Sequence, residues 1–454
     1  MDAFENYFAG LRNKSIAVLG LGVSNRPLVR LLLEFGCQVT GCDKTPREQL
    51  DDEVLELEKL GCKLHVGPDY LEGVQAEILF STPGMHPNNP AIEALRQRGA
   101  KVTSEMEVFF EVCPCNLIAV TGSDGKTTTT TLVSEMLKAS GKTVWLGGNI
   151  GTPLLPLCRQ MKKEDFAVVE LSSFQLMDMR RSPQRALITN LAPNHLDIHK
   201  DMEEYVESKK NIYRFQDETG LLVLNADNAI TASLRGNGET RFFSRKQKTN
   251  CVWEENGVIY RRGERLLETK EILIPGTHNI ENYMAAACAV EGLASDADID
   301  AVARSFAGVE HRIEYVRTLH GAKWYNDSIA TSPTRTIAGL RAFDEKVILI
   351  AGGYDKHISF APLAPEVVQH VKLLILCGAT ADAIEKALRE NAREEDLPEI
   401  VRCEDLAACV QTAYARAGAG DIVTLSPACA AFDQFANFME RGKAFKKLVM
   451  ALGE

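Results

Sequence analysis

The chain has 454 residues, 45% hydrophobic and 25% charged, the balance of a soluble globular protein too long for a single core. Its formal net charge of −11 argues against broad binding along a nucleic-acid backbone, so any anionic ligand must be met by local basic groups. No apolar run approaches the roughly 18 to 20 residues of a membrane span, and no basic stretch followed by an apolar one opens the chain, so the expected location is the cytosol.

In chain order, residues 15–25 (Ser-Ile-Ala-Val-Leu-Gly-Leu-Gly-Val-Ser-Asn) read as a strand entering a G-x-G-x-x turn. A helical run at 27–35 and a second strand at 38–42, ending at Asp43, complete a Rossmann-like β-α-β unit. Taken alone it suggests a dinucleotide site, although Asn25 stands at the third glycine position. Strand signals at 78–81 and 101–103 carry the α/β pattern to about residue 104.

Residues 117–128 (Leu-Ile-Ala-Val-Thr-Gly-Ser-Asp-Gly-Lys-Thr-Thr) read as a buried strand, a glycine-bounded turn and a helix start. Glycines let backbone N–H groups close around phosphate oxygens, a lysine neutralises charge, and the following hydroxyl can hold Mg²⁺, so the segment predicts ATP or GTP binding. Val120 occupies the position of the first Walker A glycine, leaving the shorter T-G-x-x-G-K-T form and arguing against P-loop GTPases and transport ATPases. An amphipathic helix at 130–139 and strands at 143–146, 167–170, 186–190 and 221–224 predict a mainly parallel sheet. Short β-like pieces over 241–267 predict a small antiparallel addition, and an alanine-rich helix at 279–293 closes the segment near Gly308. Strands at 324–326, 346–351, 373–377 and 422–425 then predict a second Rossmann-like sheet. The expected architecture is three α/β domains, 1–104, 105–308 and 309–454.

The 12 cysteines show no paired C-x-x-C spacing, the closest pair being Cys113-Pro-Cys115, so reduced core thiols are expected rather than a zinc site. Glu170, delivered to a strand end, can bind Mg²⁺ or simply start a helix. His195 and His199 are four apart and could share a helix face, yet no third zinc ligand accompanies them. Lys209, by itself, passes for a solvated helix charge. Arg312 suits a transferring phosphoryl group and Asp327 suits ribose hydroxyls or a metal, while either could equally form a surface ion pair.

The ordered set G-L-G-V-S (20–24), T-G-S-D-G-K-T-T (121–128), G-N-I-G (148–151), E-L-S-S-F-Q-L (170–176), N-H-L-D (194–197), a lysine four before Tyr213, P-G-x-H-N-x-x-N (275–282), H-R-I-E (311–314), N-D-S (326–328) and L-S-P-A-C-A-A-F-D-Q-F (425–435) resembles the Mur ligases. The likeness spans essentially the whole chain, and the last motif and the length resemble the members that add D-glutamate. It implies an ATP-dependent amide ligase of peptidoglycan-precursor synthesis. ATP would phosphorylate the terminal carboxylate of UDP-N-acetylmuramoyl-L-alanine, and the amine of D-glutamate would attack the acyl phosphate. By the same resemblance, Lys126 and the loop Gly122, Ser123, Asp124, Gly125, Thr127, Thr128 and Thr129 hold the triphosphate. Thr127 and Glu170 take one Mg²⁺, His195 and a carbamylated Lys209 a second, and Asn279, Asn282, Arg312 and Asp327 complete the ATP site. Val23, Ser24, Asp43, Lys44 and Ser81 would meet the UDP moiety, Asn149 and His195 the muramoyl-alanine portion, and Thr331, Lys356 and the backbone near Phe438 the acceptor. A monomer is the family expectation.

Three positions depart from the family pattern: Asp124 where asparagine is usual, Ile329 where a lysine is usual, and Ala431 where a serine helps hold the acceptor's side-chain carboxylate. Rival readings are another amide ligase of the superfamily, such as a folylpolyglutamate synthase or a Mur ligase with a different acceptor, and a nucleotide-binding regulatory subunit without turnover. The complete first domain disfavours the folate enzyme, and the intact Lys126, Glu170, His195 and Lys209 set disfavours the regulatory subunit. An NAD-dependent dehydrogenase would leave the phosphate loop unexplained.

Overall fold

A computed structural model describes residues 2–195 and 198–453. Contacts gather the chain into two compact units, one of residues 1–268 with 281–302 and one of 269–280 with 303–454. The first unit carries two sheets and the second carries one.

The first sheet contains β1 (Ser15–Leu19), β2 (Gln38–Asp43), β3 (Lys63–Val66), β4 (Ile78–Ser81) and β5 (Lys101–Ser104), ordered β3-β2-β1-β4-β5 with every pair parallel. The order reverses direction at β1, which opens a crevice at the carboxyl ends of β1 and β4. One face of this sheet packs Phe4, Phe8, Val18, Leu28 and Phe80 into an apolar cluster that continues through Phe109 and Ala119 to Leu224. The opposite face covers Ala17, Leu19, Leu79, Ile92 and Leu95.

The second sheet contains β6 (Asn116–Thr121), β7 (Val144–Gly148), β8 (Phe166–Glu170), β9 (Arg185–Ile188), β10 (Leu221–Asn225), β11 (Glu239–Ser244), β12 (Val252–Glu255), β13 (Val258–Arg261) and β14 (Glu264–Glu268). Its order is β14-β13-β12-β11-β10-β9-β6-β8-β7. Pairing is parallel from β7 to β12 and antiparallel across β12-β13-β14, so the foreseen antiparallel addition prolongs the main sheet instead of standing apart. β6 and β8 run side by side with buried residues throughout their last four positions, which is why both read as continuous apolar runs. Their carboxyl ends place Thr121 and Glu170 at one rim. The alanine-rich helix is Thr277–Ala289, ending earlier than its sequence pattern suggested.

In the second unit, β15 (Glu314–Leu319), β16 (Ala322–Asn326), β17 (Val347–Ala351), β18 (Val371–Leu376), β19 (Glu399–Arg402) and β20 (Ile422–Leu425) order as β15-β16-β20-β17-β18-β19. Only the edge pair β15–β16 is antiparallel. Apolar clusters cover both faces, around Leu349, Leu374 and Leu376 on one and Trp324, Ile350 and Phe445 on the other. All 12 cysteines are free thiols, as expected of core residues. Among the described residues no helix is long and apolar enough to cross a membrane.

Candidate active site

β6 runs straight into the loop 122–125 and the helix Lys126–Ala139, whose N-cap is Gly125 at φ 76°. That left-handed conformation suits glycine, and a Cβ at Gly125 would lie 2.1 Å from Asn282 Oδ1. Gly122, at φ 150°, is equally confined, since a Cβ there would lie 1.9 Å from Thr189 Oγ1. The loop is braced by the two residues that follow β9: Asn190 Oδ1 accepts from the Asp124 N–H at 3.0 Å and Thr189 Oγ1 donates to the Asp124 carbonyl at 2.6 Å. The Asp124 residue itself is exposed. Lys126 Nζ folds back to donate to the carbonyls of Gly122 at 3.0 Å and Ser123 at 2.8 Å. Asn282, on the helix Thr277–Ala289, accepts from Thr129 Oγ1 at 3.3 Å, so this asparagine does reach the loop.

Beside the loop, Lys209 is 1% exposed, which overturns the solvated-charge reading. Its Nζ donates to Thr121 Oγ1 at 3.0 Å and lies 4.9 Å from the centroid of the Tyr205 ring. Burial, then the Lys126 charge, holds its ammonium pKa well below the ordinary lysine value, with Glu170 and Asp124 pulling the other way. Glu170 is also 1% exposed; Oε1 accepts from Asn149 Nδ2 at 2.7 Å, whereas Oε2 is buried without a hydrogen-bond partner. A buried carboxylate oxygen left open in this way fits a cation ligand. Gly148, at φ 98°, lets β7 approach so closely that a Cβ would sit 2.2 Å from the Glu170 carbonyl, which explains the G-N-I-G turn. Among the described residues no group of three or more His, Cys, Asp or Glu side chains stands ready to hold a metal.

His195 is exposed at φ 54°, while His199 is buried, stacked on Phe174 at 5.3 Å with Nε2 2.9 Å from Ser173 Oγ. Leu196 and Asp197 of the N-H-L-D motif lie outside the described residues. Sequence reasoning passed over Tyr205, whose OH lies 2.9 Å from Ser123 Oγ and ties the loop to the helix carrying Lys209.

At the first sheet, Val23 is 75% exposed, and Ser24 caps the helix Asn25–Glu34 without a side-chain bond to it. Asp43 uses both oxygens on the chain, accepting from the Leu21 N–H at 2.7 Å and the Thr45 N–H at 2.9 Å. Burial raises its pKa, but these amides more than offset that and leave it below the usual carboxylate value. Lys44 is exposed beside it, and Ser81 Oγ donates to the Thr103 carbonyl at 3.2 Å. A cavity of about 370 Å³ opens here, lined by Ser81, Thr82, Phe174, Gln175 and Arg180 among others. Of these only Ser81 was foreseen, although Phe174 and Gln175 lie inside the E-L-S-S-F-Q-L run.

In the second unit, Asn279 Nδ2 donates to the Pro275 carbonyl at 2.6 Å. Arg312 is exposed between His311 at φ 65° and Ile313 at φ 43°. A β-branched residue in that region carries strain on the order of 1–3 kcal/mol. Asp327 is 4% exposed and therefore no surface ion-pair partner; it accepts from Ser426 Oγ at 2.7 Å and the Ile313 N–H at 3.3 Å. Burial pushes its pKa up to about 7 despite those two bonds. Lys356 Nζ lies 3.4 Å from the Thr331 carbonyl, and the Phe438 carbonyl accepts from Ser328 Oγ at 2.8 Å. Ala431 is buried and Ile329 half-buried.

The family model of the Mur ligase middle domain matches residues 120–290, and that of the Mur ligase glutamate ligase domain matches residues 311–429. UDP-N-acetylmuramoylalanine–D-glutamate ligase of Acetivibrio thermocellus is 48% identical over 454 residues, spanning 97% of both chains. The protein of the same name from Clostridium novyi is 47% identical over 451 residues, spanning 98% of both. Among solved structures, UDP-N-acetylmuramate-alanine ligase of Thermotoga maritima aligns with a TM-score of 0.56 at 18% identity, covering 97% of this chain and 100% of that one, a likeness of fold.

Proposed function

The chain belongs to the Mur ligase family, and from that premise we infer that it is an ATP-dependent amide ligase joining D-glutamate to UDP-N-acetylmuramoyl-L-alanine. The observation that carries this reading is the buried Lys209–Thr121–Glu170 rim beside the phosphate loop, in a chain nearly half identical to D-glutamate ligases along its whole length.

The substrate carboxylate oxygen attacks the γ-phosphorus, the bond to the bridging β–γ oxygen breaks, and ADP leaves with an acyl phosphate formed. The amine of D-glutamate then attacks the acyl carbon, loses a proton, and phosphate departs as the C–O bond breaks. Charge on the moving phosphoryl group is the main obstacle, so fixed cations and dipoles contribute most. Lys126 and the amides of residues 122–128 cradle the phosphates, and the exposed Arg312 meets phosphoryl charge. Asn279, Asn282 and Asp327 hold the remainder of the nucleotide. Bound Mg²⁺ would neutralise phosphate charge, held by Thr127 and Glu170, with a second ion held by His195 and Lys209. The open Glu170 Oε2 fits that role, and so few protein ligands are usual where phosphates supply the rest. A neutral buried amine adds CO₂ and releases a proton to become a carbamate, so a carbamylated Lys209 would place a second anionic oxygen pair at this rim. Val23, Ser24, Asp43, Lys44 and Ser81 serve the UDP moiety, Asn149 and His195 the muramoyl-alanine portion, and Thr331, Lys356 and Phe438 the acceptor. The functional divisions are 1–104, 105–308 and 309–454, in a cytoplasmic monomer.

The deciding assay is phosphate release from ATP with UDP-N-acetylmuramoyl-L-alanine and a panel of amino acids. D-Glutamate should be required, and equal or better turnover with another acceptor would refute the assignment, which matters because Ile329 and Ala431 remove a cation and a donor that the family pattern leads one to expect. A second expectation concerns Asp124. Its main chain is fixed by Thr189 and Asn190 while the residue is exposed, so Asp124→Asn should change the KM for ATP by no more than about twofold. A larger shift in an ATP titration at varied Mg²⁺ would mean that the carboxylate faces the phosphates.

A further inference from the structure

We propose that Arg441 is the positioning residue of the acceptor site, binding together the loops that receive the acceptor's carboxylates and giving them a fixed positive charge. The proposal rests on the D-glutamate-adding reading above. Arg441 lies in the first turns of the helix Phe438–Met450, in a stretch (Phe-Met-Glu-Arg-Gly-Lys) that reads as an ordinary solvated helix surface, yet it is 4% exposed. Its Nε donates to Ser328 Oγ, one terminal nitrogen to the carbonyls of Ser328 and Cys429, and the other to the Ala430 carbonyl, all at 3.0 Å. Every acceptor is uncharged. Among the described residues no carboxylate forms an ion pair with it, and Asp433 acts on it only through space.

A guanidinium taken out of water without a carboxylate is costly, and a purely structural tie would be cheaper with a neutral or ion-paired side chain. Its location suggests what the charge is for. Ser328 leads directly to Thr331, and Ala430 leads to Ala431. The Ala430 carbonyl also accepts from the Tyr354 N–H at 3.0 Å, which brings in the turn holding Lys356. Gly353, at φ 149°, approaches so closely that a Cβ would lie 2.3 Å from the Ala430 carbonyl and 3.1 Å from an Arg441 terminal nitrogen. Phe438 is in the same helix as Arg441, and its carbonyl takes the Ser328 hydroxyl. The planar fork thus joins the segments of Thr331 and Ala431 to the helix of Phe438, with the turn holding Lys356 attached through the Ala430 carbonyl, and its uncancelled charge complements a dicarboxylate.

The test uses the full chain, after the unaltered protein has been shown to release phosphate in response to D-glutamate; failure at that stage overturns the function and not the role of Arg441 within it. Arg441→Lys keeps the charge and loses the fork. It should raise the KM for D-glutamate at least about tenfold while leaving the KM for ATP and for the UDP substrate within about twofold. Acyl phosphate trapped with hydroxylamine in the absence of D-glutamate should be unchanged. Ser328→Ala, which removes the acceptor of Nε, should move the D-glutamate KM in the same direction by a smaller factor, and it decides the matter if thermal melting shows Arg441→Lys to be unfolded. An unchanged D-glutamate KM, or a parallel loss in all three KM values and in trapped acyl phosphate, would overturn the proposal.

Discussion

Lys209→Ala should lower phosphate release by about 10³-fold or more, because the several kcal/mol of phosphoryl-charge stabilisation gathered at that rim depends on it. The side chain is inside the protein, not on its surface, with Thr121 Oγ1 and the Tyr205 ring as its polar surroundings. Burial favours the neutral amine, the form that adds CO₂. The alanine variant leaves a cavity lined by Thr121, Tyr205 and Glu170, and a short carboxylate such as acetate should enter it and restore part of the activity. Retention of full activity without any additive would refute the carbamate. Thermal melting belongs beside the kinetics: removing a costly buried amine should not lower stability as much as removing an apolar chain of the same size, so a loss of turnover with a nearly unchanged Tm separates chemistry from folding.

Gly125→Ala should weaken nucleotide binding, by a different route. The residue must hold φ 76° and would place its methyl 2.1 Å from Asn282 Oδ1. The left-handed backbone alone costs an L-residue about 1–2 kcal/mol, and the overlap forces either the loop or the helix Thr277–Ala289 to yield. A displaced loop misaims the N–H groups at the helix start, so the KM for ATP should rise by about tenfold or more. The cause can be isolated by a double-mutant cycle: in an Asn282→Ala background the same glycine substitution should cost less stability, because the overlapping oxygen is gone. Equal costs in both backgrounds would show that backbone conformation, and not the contact with Asn282, is responsible.

The parts of this site legible in the sequence are those whose chemistry is written in consecutive residues. The phosphate loop announces itself through the glycines flanking Ser123 and Asp124, and Glu170 through the apolar strand that ends on it. The wide parallel sheet follows from runs such as Phe166–Val169, whose burial on both faces removes the polar alternation of an exposed strand. Lys209 was legible only through its motif, because one lysine among Glu207, Lys210 and Arg214 has no local mark of burial. Tyr205 and Arg441, and the bond that ties Thr121 to Lys209, were not legible at all: each role comes from an atom about 80 or more residues away, Thr121 from Lys209, Tyr205 from Ser123, Arg441 from Ser328. Arg312 likewise stands between two left-handed residues, His311 and Ile313, and the sequence does not signal that conformation in advance. The edge strand Glu314–Leu319 was missed because Glu314, Arg317 and Thr318 interrupt its apolar residues.

The apolar cluster shared by the first two sheets has a consequence for how this protein loses its structure. Phe8 and Val18 of the first sheet's layer belong to the same continuous interior as Phe109, Ala119 and Leu224 of the second, and Arg159 bridges the two segments by pairing with Glu5 while its guanidinium lies 5.3 Å from the centroid of the Phe4 ring and 5.0 Å from that of Phe35. Regions that share one interior open together, so the first sheet and the sheet carrying the phosphate loop are expected to open as a single cooperative unit. Local damage to the first sheet, even far from any phosphate, is therefore felt by the ATP loop as a change in its population of folded states rather than as a change in its shape.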